Sequence, residues 1–176
     1  MRDNAWLARG RIALASVLPL LIFALVWANP ASADDTPSTR NTLKGITTIS
    51  VLAGPTSLEA ENDGLVRDQI QTDVELRLRQ AGITVNSNVP PNPLEMLVVY
   101  VQTRKNRLGA YAYAVNVEFW QLVCVRAQTD KCTLAPTWSV SGIGLESASS
   151  LRDVRRVVAD YVDQFINAYL EQNPKR

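Results

Sequence analysis

The stretch Ala110–Val125 alternates with a period of two for longer than any other part of the chain. Tyr111, Tyr113, Val115, Val117, Phe119 and Val123 occupy its odd positions, whereas Ala112, Ala114, Asn116 and Glu118 occupy the even ones. Successive strand side chains point to opposite faces, so this pattern dictates a long half-buried strand with its core on the odd side. A turn precedes it at Arg104-Lys105-Asn106-Arg107-Leu108-Gly109, and before that Glu95 to Thr103 reads as another strand through Met96, Leu97, Val98, Val99, Tyr100 and Val101. Thr133 to Leu145 follows as a further strand. Gly45 to Ala53 and Ile83-Thr84-Val85, rich in β-branched residues, supply two more.

Two helices complete the pattern. In Leu65 to Ala81, Val66, Ile70, Val74 and Leu78 form one apolar stripe. Asn62 or Asp63 is placed to cap its start and Gly82 its end. Asp73 with Arg77, and Glu75 with Arg79, are acid-before-base pairs on the wet side. The last helix runs from Leu151 to about Gln172, with Val154, Val158, Tyr161, Val162, Phe165 and Tyr169 inward, and Ser150 with Asp153 resembles a capping box. The expected fold is α+β: one domain with an antiparallel sheet of four to five strands, two helices on one face, and the order β-α-β-β-β-α.

One conflict predicts a local irregularity. Between Thr133 and Leu145 the large residues Leu134, Trp138 and Val140 are even, so regular pairing from Cys124 opposite Cys132 would set Trp138 against Glu118. One extra residue near Pro136 brings Trp138 beside Phe119 and Val140 beside Val117. A bulge within two residues of Pro136 is therefore predicted.

The N-terminus bears on location. Arg2, Arg9 and Arg11 precede an uncharged run from Ile12 to Ala28, and Ala31-Ser32-Ala33 follows. A basic start, an apolar middle and an Ala-x-Ala end describe a secretory signal helix cleaved after Ala33. The alternative is an uncleaved anchor in the inner membrane. The expected organisation is a signal peptide at 1–33, a flexible polar spacer at 34–44, the α+β domain at 45–173 and a tail at 174–176. The expected location is periplasmic or secreted, with membrane contact confined to the signal or the anchor.

Removing the signal leaves 15 basic against 16 acidic residues, a balance that argues against nucleic-acid binding. The chain has no histidine, which removes the commonest general base and imidazole metal sites. No phosphate-binding glycine motif is present. The sequence thus points to no catalytic residue, cofactor or metal, and to a non-enzymatic envelope adaptor working through a protein partner; a homo-oligomer is allowed. Cys124 and Cys132 flank a polar connection and are expected to form a disulfide at a hairpin mouth, as an oxidising compartment permits. Trp120, Leu122 and Glu118 lie on the even face away from the helices and are the candidate partner surface. Arg104, Lys105 and Arg107 form a candidate basic turn that either meets anionic headgroups or is simply solvated. The competing reading is a module for a small or amphipathic ligand, held between helix and sheet by Tyr111, Tyr113, Tyr161 and Tyr169.

Overall fold

The computed structural model describes residues 32–86 and 94–174, with backbone only at 32–34 and 128–129. The apolar run of the expected signal, the proline-rich segment around Pro90 and the last two residues lie outside the described residues. The described residues form one α+β unit.

Its strands are β1 (Ser32–Asp34), β2 (Thr48–Ala53), β3 (Thr84–Asn86), β4 (Glu95–Lys105), β5 (Ala110–Val125) and β6 (Gln128–Ser147). Its helices are α1 (Pro37–Asn41), α2 (Leu58–Asn62), α3 (Arg67–Gln80) and α4 (Val154–Gln172), with a 3-10 turn, Ala148–Asp153, leading into α4. The spatial strand order is β1-β6-β5-β4-β2-β3.

The sheet is mixed, which corrects the antiparallel expectation. β2 pairs in parallel with both β3 and β4, while β4, β5 and β6 form an antiparallel meander. The physical reason is the crossover. α2 and α3 carry the chain back to the end at which β2 began, so the next strand must run parallel to it.

The odd face of β5 is the core, as its pattern dictates. Tyr111, Val115, Val117 and Phe119 are fully buried there. Phe119 pairs with Trp138 and Val117 with Val140, while Trp120 pairs with Pro136; Thr137 is the extra residue of a bulge. The bulge turns Trp138 inward, where its indole meets Phe165 of α4 edge to face, with ring centroids 5.2 Å apart. Val154, Val158, Val162, Phe165 and Tyr169 supply the buried stripe of α4. Each such side chain contributes about 1.5–3 kcal/mol on burial, which outweighs any single cap.

The helix ends differ in part from the sequence reading. α3 begins at Arg67, and Val66 at its N-cap makes no side-chain cap. The residues before it form α2, capped by Ser57. At the other end of α3, Gly82 adopts φ 82°. Its N–H reaches the Arg79 carbonyl and the next N–H, of Ile83, reaches Leu78, a Schellman closure. Ser150 does not box with Asp153; its hydroxyl donates to Glu146 at 2.6 Å instead. Glu75 and Arg79 pair within α3, but Asp73 turns to Arg155 and Arg77 to Asp163, so two of the expected intrahelical charges join α3 to α4.

Where the sequence suggests a spacer at 34–44, the structure places β1, α1 and a docked loop. Thr36 and Thr39 form a capping box around Pro37, which starts α1. Leu43 is fully buried. Asn173 clasps the same segment, donating to the Leu43 carbonyl at 2.8 Å and accepting from the Gly45 N–H at 2.7 Å. A carboxylate completes the attachment. Asp35 accepts from Arg40 through two bonds, at 2.7 and 2.8 Å, and from the Trp138 indole at 2.8 Å.

Candidate functional site

The described helices all lie against the inner face, so the even positions of β5 and their cross-strand partners on β6 form a sheet face that, among the described residues, no helix covers. In order along the β5–β6 ladder, its facing pairs are Leu122 with Leu134, Trp120 with Pro136, Glu118 with Ser139, Asn116 with Ser141, Ala114 with Ile143, and Ala112 with Leu145. Ile143 is 82% exposed and Leu145 78%, with Leu122 at 50%. Apolar side chains are as open elsewhere, at Leu58 and Leu108, but there they are isolated; Ile143 and Leu145 lie two apart on one strand, and a grouped apolar surface is suited to contact.

Trp120 and Glu118 stand side by side on this face. The Trp120 indole N–H donates to the Glu118 carboxylate at 2.9 Å, which holds the ring in place and leaves it half-buried between its register partners Met96 and Pro136. Among the described residues Glu118 has no second acid paired with it on the face, so it supplies a fixed acceptor rather than a carboxylate pair. Leu122 lies past Gln121, the last β5 residue that β4 pairs. From there β5 and β6 continue as a two-stranded ribbon closed by the Cys124–Cys132 disulfide. A free two-stranded ribbon is marginal in water, so the covalent closure is what keeps this tip formed.

The expected basic turn is not one cluster. Lys105 ends β4 and bonds Asp63 at 2.7 Å, with its ammonium 5.1 Å from the Tyr111 ring centroid. Tyr111 Oη donates to the same carboxylate at 2.6 Å. The Lys105 ammonium and then the Tyr111 hydroxyl hold the Asp63 carboxyl below its ordinary range. Arg104 instead shares the helix-free face, opposite Ala112, and Arg107 is exposed in the turn.

The space between helix and sheet, where the ligand reading needs a pocket, is filled. Tyr111 and Tyr169 are core residues. A Cβ on Gly144 would stand 2.7 Å from Tyr113 Cε1, and one on Gly142 would collide with Tyr161 Oη, so both rings lie directly on bare β6 backbone. Burial pushes all four tyrosine hydroxyls up from their ordinary range. An open groove of about 640 Å³ lies between α3 and α4, lined by Asp73, Arg77, Arg155 and Arg156 among others. Each of these is engaged in an ion pair, so the groove is a salt-bridged seam. Among the described residues, no three His, Cys, Asp or Glu side chains group to hold a metal, and no helix is long and apolar enough to cross a membrane.

The sequence reading located Trp120, Leu122 and Glu118 on this face but missed its other end, Ile143 and Leu145. The bulge at Thr137 already implied it. If Trp138 and Val140 point inward, then Gly142 and Gly144 follow them and Ile143 and Leu145 must point out.

No family model matches the chain, and no curated protein matches it. Among solved structures it is similar to the PelC dodecamer from Paraburkholderia phytofirmans, at 14% identity over 70% of this chain and 86% of that one, with a TM-score of 0.38. It is also similar to a minor lipoprotein from Acinetobacter baumannii, at 12% identity over 72% of this chain and 92% of that one, with a TM-score of 0.37. Similarity this faint decides nothing about function.

Proposed function

We propose that this protein is an exported, non-enzymatic adaptor of the cell envelope that acts through protein–protein contacts on the helix-free face of its sheet. The observation that carries the reading is that face: apolar at both ends, with Ile143, Leu145 and Leu122 open to solvent. The Cys124–Cys132 disulfide fits an oxidising compartment. The basic-apolar-small pattern of residues 1–33 supports export. The absence of histidine from the whole chain supports a binding rather than a catalytic role.

The test is site-specific photo-crosslinking in the native host. A photoreactive residue at Ala112 or Leu122 is expected to trap one protein stoichiometrically. The same residue at the exposed Asn167, on α4, is expected to trap none of it. Equal yields from the two surfaces, or no protein adduct from the sheet face, would overturn the reading.

A further inference from the structure

The face is not merely apolar; its pattern is self-complementary. Along β5 it reads Leu122 and Trp120 at one end, Glu118 and Asn116 in the middle, and Ala114 and Ala112 at the other. Reversed end for end about the point between Asn116 and Glu118, large residues fall on small ones. Trp120 lies over Ala114, Leu122 over Ala112, and the Glu118 carboxylate over the Asn116 amide. On β6 the same reversal sets Leu134 over Leu145 and Pro136 over Ile143.

We propose that the occupant of this face is a second copy of the chain, packed sheet on sheet about a two-fold axis that runs parallel to the sheets and perpendicular to β5. This rests on the reading of the face as a protein interface and names its partner. Such an axis makes each contact occur twice, which is the signature of an isologous dimer. Both middle contacts are favourable in the reversed register. The Asn116 amide has two N–H donors, and the Glu118 carboxylate has acceptor sites left beyond the Trp120 bond. The other two-fold, parallel to the strands, would stack Trp120 on Trp120 and Glu118 on Glu118. That sets like charge on like charge at Glu118, so the pattern selects the first axis.

Size sets the expected strength. From Ala112 to Leu122 at about 3.3 Å per residue the face is roughly 35 Å long, and the three strands that run this length, β4, β5 and β6, make it roughly 14 Å wide at about 4.8 Å each. That is about 500 Å² per copy, below the roughly 800 Å² per partner of a standard interface and in the range of weaker, reversible association.

The experiment is light scattering and sedimentation of the purified protein, up to about 100 µM, because a weaker, reversible interface needs a high concentration to fill. A dimer is expected. Ala114→Arg, at a position outside the core, is expected to weaken it at least tenfold, and Trp120→Glu to do the same. The double variant Ala114→Arg with Trp120→Glu is expected to recover the dimer, because only the reversed register brings these two positions together. Circular dichroism checks each variant for folding. If Trp120→Glu fails to fold, a short bismaleimide replaces the charge pair. Ala114→Cys with Trp120→Cys should then crosslink, whereas each single variant should not, since like positions lie about 20 Å apart along the strands. A monomer at the highest concentration, or a dimer indifferent to Ala114→Arg, would overturn the dimer. If photo-crosslinking from Ala112 then still traps a different protein, the interface reading stands without the dimer; if it traps nothing, both fall.

Discussion

Asp35 holds the N-terminal segment onto the core, and its removal makes a sharp test of how residues 34–44 are attached. Its side chain is 13% exposed and accepts three hydrogen bonds, two from Arg40 and one from the Trp138 indole. Asp35→Ala strands the indole N–H of a tryptophan that is 1% exposed, at a cost of about 1–3 kcal/mol. The charge-assisted Arg40 bonds add about 1–2 kcal/mol after allowing for an arginine that is one-third exposed and keeps Glu171 as a partner. The expected loss is about 2–5 kcal/mol, read from urea unfolding followed by far-UV circular dichroism. Asp35→Asn keeps an acceptor for the indole and should lose about half as much. The pH dependence carries the same logic. Arg40 first, and Trp138 after it, hold the Asp35 carboxyl below its ordinary range against the opposing effect of burial. A depressed folded pKa gives stability that is present above the unfolded value of about 3.9 and is lost as pH falls below it. Asp35→Asn should therefore flatten the acid limb of the stability profile. A loss under about 0.5 kcal/mol for Asp35→Ala, with an unchanged acid limb, would refute the attachment.

Four further outcomes are expected. Gly142→Ala should destabilise by about 1–3 kcal/mol, and Tyr161→Phe should rescue it in part, because the colliding atom is the hydroxyl and Cζ lies at 3.2 Å. Gly144→Ala should not be rescued by Tyr113→Phe, since ring carbon Cε1 stands at 2.7 Å; thermal melts of the four variants and two doubles decide this. Replacing Cys124 and Cys132 by serine should speed hydrogen exchange across 122–134 while leaving β4 and α4 protected, with a global loss no larger than the roughly 2–3 kcal/mol of a short closed loop. Tyr169→Phe frees the Ile46 carbonyl that its hydroxyl reaches at 2.6 Å, so chemical denaturation should show a loss of about 1–2 kcal/mol. The Tyr169 pKa is raised by burial. The neutral form is thus favoured in the fold, and the stability it adds below pH about 10 is lost as pH rises further, a slope the phenylalanine variant should lessen.

Periodicity alone determined the elements whose side-chain rhythm has one solution. The odd face of β5, the stripes of α3 and α4, and the bulge beside Pro136 follow from the requirement that Trp138 and Phe119 share one side of a sheet. The disulfide follows from two cysteines set opposite each other at a hairpin mouth. Tertiary structure decided what no local pattern encodes. The parallel pairing of β2 with β3 and β4 depends on where a helical crossover returns the chain. The docking of 34–44 depends on a polar residue, Asp35, finding Trp138 more than a hundred positions away. Lys105 left its basic neighbours for Asp63 because the fold brought a carboxylate and a tyrosine ring to it. Hydrophobic rhythm is local and survives in one dimension, whereas ion pairs and strand order are choices among distant partners that only the packed chain can make.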